Sequence, residues 1–440
     1  MDNLNILDLS DEILFIVRKK LNMVDILYSL VNVNQRFDRL ALDSLYVREL
    51  NMTTISTNSL LYDQNPTIDT QVLSKICEKV LPRIHHQIHK LTVEEYSMKP
   101  IPLASNYPQL YSLSLINFQE ETLYQYLTID CLYLLDEPLV CLSTLIVNVE
   151  QISHLLPDID PTKKFPQLKH FSFTTFDRAS EYDTQIVPLL NRMINLEELQ
   201  LYISVGRYDS IYIDGYQLYD QFLIYMTQLK KFTFSITIKV CNKNINVELP
   251  SNYDIQRSFI GRVYHEVASY VNTKSLLYDG ECHIYSLPYA FEYFTNLNNS
   301  FPGGMFHKVR QLTMDDIIAF EHKLFKIISQ DFPFLELLYV SNSCPLKDKQ
   351  YSSSTLITFP YLTFLDLTWT HVDYAELFLL KKNIDLPRLL NLSVEYKSLT
   401  TITSNFTDDA TYFNFDKLKN LDACEPFDRP ENFHQYFPLL

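Results

Sequence analysis

The run His85-His86-Gln87-Ile88-His89 is the nearest this sequence comes to a metal-ligand spacing. On a helix His85 and His89 would share one face, and two imidazoles could enter one coordination sphere. The run lacks a glutamate that would activate water between them. Ile88 also opens an extended segment, on which residues four apart lie too far apart to share an ion. No metal is therefore expected. Paired carboxylates occur at Glu94-Glu95, Glu120-Glu121, Asp315-Asp316 and Asp408-Asp409. Neighbours on a strand point to opposite faces, so these pairs read as solvated surface or as charge at helix starts. There is no Gly-rich phosphate loop, no G-x-S-x-G elbow and no C-x-x-C pair. The cysteines at 77, 131, 141, 241, 282, 344 and 424 are odd in number and scattered, and read as buried thiols in a reducing compartment. The expectation is a chain with no catalytic residues and no cofactor.

Composition points the same way. With 440 residues, 47% of them apolar, the chain can bury a large core. Its net charge of −16 comes without any basic run, which argues against nucleic acid as a ligand and favours a basic protein surface. No stretch reaches the length of a membrane span, and the N-terminus has acidic residues and no signal-like apolar run. An intracellular protein, cytoplasmic or nuclear, is expected. Its 30 tyrosines suit contact surfaces as well as core edges.

The elements that would carry a binding surface are repeated. An apolar residue, two others, an apolar residue, one other and an apolar residue recur as VRELNM (47–52), IHKLTV (88–93), LYSLSL (110–115), LSTLIV (142–147), LKHFSF (168–173), LEELQL (196–201) and LKKFTF (229–234). The pattern resumes as VRQLTM (309–314), LELLYV (335–340), LTFLDL (362–367), LLNLSV (389–394) and LKNLDA (418–423). Several units are introduced by proline, as in YPQL, FPQL, FPFL, FPYL and LPRL, where a preceding helix is stopped and a lost donor is tolerated. Helices are predicted between strands over 120–127, 186–193, 216–226, 320–329 and 374–381.

The spacing, in the high twenties, and the L-x-x-L-x-L core resemble leucine-rich repeats. That resemblance implies an α/β solenoid, a horseshoe with parallel strands on the concave face and helices on the convex face, over residues 47–440. Within each strand the second and third apolar positions would enter the core. Flanking residues would line the concave face, among them His170, Glu198, Gln200, Tyr202, Lys231, Tyr339, Phe364 and Asp366, a candidate surface for a protein target. The asparagine usual three residues after the strand is missing: Phe118, Glu150, Phe176, Ser343, Thr370 and Lys397 stand there. Turns must be satisfied otherwise, and an irregular array is expected. Residues 240–305 break the rhythm, as two divergent repeats or as an insertion crossing the concave face.

Ahead of the repeats, residues 9–46 form a separate helical module. Of these 38 residues 21 are apolar, arranged as three short helices with more apolar surface than they can hide among themselves. Ser10 or Asp11 caps the first, Arg18, Lys19 and Lys20 form its basic last turn, and Asp25 opens the second. Leu9-Ser10-Asp11-Glu12-Ile13-Leu14, Leu21, Asp25-Ile26-Leu27, Leu30, Val33-Asn34-Gln35-Arg36-Phe37 and Leu45-Tyr46 resemble an F-box, over about a tenth of the chain. Ser10 stands where proline is usual, Asn34 replaces a frequent cysteine and Tyr46 a frequent tryptophan. The resemblance implies a hook for the Skp-family adaptor of cullin-RING ubiquitin ligases. By position, Leu9, Ser10, Ile13, Leu14, Leu21, Leu27, Leu30, Val33 and Phe37 would form or support the adaptor-facing surface. The chain would then be the substrate-recognition subunit of an SCF-type ligase, holding an unknown protein target on its repeats. The alternative is a repeat scaffold without a ligase role, in which the helices are a cap.

Overall fold

Each of the twelve apolar motifs becomes a strand that begins at its third residue. They are β1 (Glu49–Met52), β2 (Lys90–Glu94), β3 (Ser112–Phe118), β4 (Thr144–Val149), β5 (His170–Ala179), β6 (Glu198–Tyr208) and β7 (Lys231–Cys241), then β11 (Gln311–Asp315), β12 (Leu337–Asn342), β14 (Phe364–Thr370), β16 (Asn391–Ser393) and β17 (Asn420–Asp422). The computed structural model describes residues 9–18, 20–53, 69–98, 100–118, 141–149, 164–180, 182–208, 210–241, 248–262, 266–273, 278–347 and 356–440. The expected helix 120–127, Glu120-Glu121 and Cys131 lie outside them. The fold is mixed α/β with a large parallel-rich sheet. It divides inside the repeat region into two compact units, Met1–Val205 with Gln217–Phe232, and Gly206–Tyr216 with Thr233–Leu440.

In the first unit β1 to β6 pair in sequence order, all parallel. Parallel neighbours need a crossover between them, which the inter-strand segments supply. Alternate side chains stack across the ladder into a continuous core. Leu91, Leu113, Leu145, Phe171 and Leu199 form one row, Val93, Leu115, Val147, Phe173 and Leu201 the next, and all are buried. Each such side chain contributes about 2 kcal/mol of transfer free energy. Predicted helix 186–193 is instead a π-turn, Tyr182–Ile186, followed by one α turn, Val187–Leu190.

The second unit contains a parallel sheet in the order β10 (Tyr293–Leu297), β11, β12, β14, β16, β17, and a short parallel pair, β13 (Ile357–Thr358) with β15 (Ile384–Asp385). Its core joins Leu312, Leu338, Leu365 and Leu392 to a column of aromatic rings, in which Phe306 and Phe332 stack at 4.7 Å. The predicted helices lie over His322–Asp331 and Val372–Leu379, each displaced by two residues. Residues 240–305 interrupt the parallel pairing. They form the helix Asn252–Ser258, then β8 (Val267–Asn272) and β9 (Gly280–Ser286), which pair antiparallel with each other while β9 pairs antiparallel with β7. β10 then resumes the parallel array beside β11.

The prolines before the strands sit second in β-turns closed by backbone bonds such as Leu110 N to Tyr107 O (3.1 Å), Leu335 N to Phe332 O (3.2 Å) and Leu362 N to Phe359 O (3.4 Å). Their fixed φ suits that position, so they build the turn as well as ending what precedes it. One carbonyl then enters each strand pair by accepting twice: Glu336 O takes Thr363 N (2.9 Å) and Phe364 N (3.1 Å). After the strands, side chains replace the missing asparagine. Asn342, one residue before the expected position, and Asn299 each donate Nδ2 to Ile318 O at 2.8 Å.

Candidate functional site

Four short helices open the described chain: α1 (Asp11–Arg18), α2 (Met23–Leu30), α3 (Gln35–Ala41) and α4 (Ser44–Val47). α2 starts two residues earlier than expected because Asn22, not Asp25, caps it by accepting from Asp25 N. Asn34 caps α3 in the same way, accepting from Phe37 N at 2.8 Å, and Asp43 caps α4. The residue that departs from the F-box pattern at 34 is thus a good N-cap in its own right.

α1 has two apolar faces. Leu14 turns inward to a small core with Phe37 and Leu40, against which Leu9, Phe15 and Leu30 pack. Ile13, Ile16 and Val17, spaced i, i+3, i+4, form an adjoining stripe and are 45%, 62% and 39% exposed. Leu21, one further turn along, is also exposed, as are Val33 and Leu45. Arg36 fixes the orientation of α1, its Nε 2.7 Å from Asp11 Oδ1 and its Nη2 donating to Leu9 O. Arg18 does not form a solvated last turn. It is buried, its guanidinium 3.7 Å from the Tyr46 ring centroid, and Phe15 stacks on the same ring system at 5.9 Å.

The nine expected adaptor-facing residues therefore divide. Ser10, Ile13, Leu21 and Val33 are exposed, Leu9 and Leu30 are half-buried, and Leu14, Leu27 and Phe37 are buried supports. Ile16 and Val17 were not among the nine. Their signal was the i+3 and i+4 offset from Ile13, obscured by the unbroken apolar run.

α2 faces the other way. Val24, Ile26 and Leu27 are buried, and the helix packs on β1. Arg83 holds the module to the first repeat through Asp38 Oδ2 (2.8 Å) and Asn32 Oδ1 (3.0 Å), and Lys75 donates to Tyr28 O (2.8 Å). Burial pushes the Asp38 carboxyl up, but the Arg83 guanidinium and the Asn32 amide together outweigh it and hold the group below its usual range.

The polar face of the first unit's sheet places Glu49, Lys90, Ser112, Thr144, His170 and Glu198 in one register row. Lys90 pairs with Glu49 at 2.6 Å, and Lys231 approaches Glu198 at 3.5 Å. Gln200 pairs in register with Ser172 and is half-buried. Tyr202 is not presented: it is 3% exposed and packs on Phe176 at 5.6 Å, because the outward side of β6 is covered beyond Gln200. In the second unit Tyr339 and Asp366 are register partners. Phe364 is only 7% exposed, its ring 5.1 Å from that of Tyr339. Burial, then the Asp366 charge, pushes the Tyr339 hydroxyl up to about 12.

The histidine run and the paired carboxylates serve structure. His85 Nδ1 meets Asn106 O at 2.5 Å and His89 Nε2 meets Gln109 Oε1 at 2.6 Å, so the two rings engage different partners. Among the described residues no three His, Cys, Asp or Glu side chains gather in a metal-ligating group. Glu94 is buried, where a solvated position was expected, and Asp316 and Asp409 accept from turn amides. Cys141 and Cys424 are exposed thiols instead of buried ones. Among the described residues no helix is long and apolar enough to cross a membrane.

No protein-family model matches the chain, and no curated protein does. Among solved structures, a chain in "Crystal structure of Rad7 and Elc1 complex in yeast" aligns with a TM-score of 0.36 at 14% identity, covering 70% of this chain and 76% of that one. At that score the likeness carries no argument.

Proposed function

We propose that the chain is a non-catalytic substrate receptor. In this reading α1 docks on a Skp-family adaptor of a cullin-RING ubiquitin ligase, and the polar faces of the repeat sheets hold a protein target. The observation that carries it is the second apolar face of α1. A helix whose inward face is already satisfied by Leu14 still exposes Ile13, Ile16 and Val17, and a contiguous apolar stripe of that kind marks a protein-binding surface. The F-box resemblance of residues 9–46 supplies the adaptor's identity. Acceleration of transfer would come from proximity, by raising the effective concentration of target near the ubiquitin-loaded enzyme.

The second reading, a scaffold whose helices are a cap, is favoured by the buried face of α2 on β1. Deleting residues 1–46 would unfold the array in either case. Substitution of the exposed stripe separates them. In pull-downs of the full chain with a recombinant Skp-family adaptor, Ile13→Asp and Ile16→Asp should each abolish capture while circular dichroism and melting stay as in the wild type. Capture that survives both, or no capture by the wild type, removes the receptor reading. Leu14→Asp is unsuitable, since it would disrupt the core with Phe37 and Leu40.

A further inference from the structure

The turns that precede the strands of the second unit form a continuous basic and aromatic edge. His307, Phe334, Tyr361 and Arg388 follow one another at intervals of 27 residues and stack across four turns. Ring centroids lie 6.2 Å apart from His307 to Phe334 and 5.5 Å from Phe334 to Tyr361, and Arg388 Cζ is 4.9 Å from the Tyr361 centroid. Arg310 Cζ lies 5.1 Å from the Phe334 centroid. Phe334 and Tyr361 remain 37% and 38% exposed despite the stacking.

Turn segments 307–310, 333–336, 360–363, 387–390 and 416–419 hold five lysines and arginines, Lys308, Arg310, Arg388, Lys417 and Lys419, against two carboxylates, Glu336 and Asp416. Both carboxylates already face a cation, Glu336 the Arg310 guanidinium at 3.5 Å and Asp416 the Lys381 ammonium at 3.2 Å. On a chain of net charge −16 this is a local inversion of sign.

Turn geometry does not demand these residue types. The position before the closing aliphatic residue is Lys308, Phe334, Tyr361, Arg388 and Lys417 in the second unit. In the first unit the same position of turns closed by the same backbone bond holds Gln87, Gln109, Gln167, Asn195 and Gln228. An amide suffices to fold the turn, so the cations and rings require another explanation. Exposed aromatic rings flanked by Arg are the side chains that dominate protein contacts, and cations recruit carboxylates.

We propose that this turn edge docks an acidic segment of a partner protein. Its carboxylates meet Lys308, Arg388, Lys417 and Lys419, and its apolar side chains pack against the parts of Phe334 and Tyr361 that stay exposed. A polyanionic nucleic acid fits less well. The overall charge repels a continuous row of phosphates, and Arg310 and Arg388 already sit against the ring faces on which bases would stack.

The test is fluorescence anisotropy on the full chain with three labelled probes: a peptide of alternating glutamate and leucine, its lysine counterpart, and a single-stranded oligonucleotide of the same charge as the acidic peptide. The acidic peptide should bind and the lysine peptide should not compete. Arg388→Glu combined with Lys417→Glu should weaken binding at least tenfold, and so should Phe334→Gln, which installs the amide that equivalent turns tolerate. Unchanged melting curves show that the turns persist. No binding of the acidic peptide, equal binding by both variants, or tighter binding of the oligonucleotide that the same variants abolish would each overturn the proposal.

Discussion

His283 Nε2 lies 2.8 Å from Ser235 Oγ, and His283 Nδ1 lies 3.1 Å from the Tyr270 hydroxyl. The pairing has the outline of an activated nucleophile, but both Ser235 and His283 are buried between β7, β9 and β8, and their polar atoms satisfy one another. Burial disfavours the imidazolium, and the ring's pKa falls from 6.5 to about 3. The unfolded chain therefore takes up a proton first as pH drops. The stability that the neutral ring contributes is complete above about pH 6.5 and is lost towards pH 3, by about 1.4 kcal/mol per pH unit. Urea midpoints measured between neutral and mildly acid pH should fall more steeply for the wild type than for His283→Gln, by that slope. Parallel slopes would show that the ring is not held neutral.

Arg18 makes a second buried arrangement with an unusual balance. Its Nη2 reaches Ala41 O at 3.4 Å, its plane covers Tyr46, and its Nε and Nη1 have no hydrogen-bond partner among the described residues. Desolvation lowers its pKa. A buried cation with unmet donors costs more than an apolar side chain of similar length. Arg18→Met should consequently leave stability unchanged or raise it by about 1 kcal/mol, whereas Tyr46→Ala should lose about 2 kcal/mol through lost packing on both Arg18 and Phe15. Thermal melts of the two variants check the sign, and a strongly destabilised Arg18→Met would show that the cation is indispensable.

How far such features could be read in advance depended on their range. Strand starts were legible because L-x-x-L-x-L imposes a two-residue alternation that only the pleat can satisfy, and all twelve motifs obeyed it. Helix limits were less so: the expected span 374–381 covers the largely buried stretch 374–379 but overruns the helix Val372–Leu379 by two residues, while His371, which accepts from Asp373 N, decides where it begins. Alternation also says which side of a strand a residue faces and nothing of what covers that side, which is why Tyr202 and Phe364 were misplaced. The cationic turn edge was hidden because its turns stand about a repeat apart, so a local window shows only one turn at a time. Arg18 was misread because a charge in a last helical turn ordinarily meets solvent.

Asn414 ties three backbone groups of neighbouring segments together. Its Nδ2 donates to Phe378 O (2.9 Å) and Ile384 O (2.8 Å), and its Oδ1 accepts from Leu386 N (3.3 Å). All of this is buried, so Asn414→Ala strands three backbone groups without water. A loss of about 3 kcal/mol is expected. Asn414→Asp should lose at least as much near neutral pH, because it replaces two donated bonds with a buried charge. Chemical denaturation of both variants measures the effect, and a change below about 0.5 kcal/mol would mean that another group takes over those carbonyls.

Gly215 is needed for space. A Cβ built there would lie 2.5 Å from Ser258 O and 2.7 Å from Phe259 N, and its own N–H donates to Ser258 Oγ at 2.7 Å. The obstacles are backbone atoms at the end of the helix Asn252–Ser258, which cannot rotate aside as a side chain could. Gly215→Ala should therefore separate the two segments and cost about 3 kcal/mol, the range of an overpacked core. Gly261 provides the contrast: its φ of +74° is unfavourable for alanine but nothing lies within 4 Å, so Gly261→Ala should cost only about 1 kcal/mol. Denaturation midpoints that rank the two variants in the opposite order would mean that the loop of Gly215 yields more easily than its close approach to Ser258 implies.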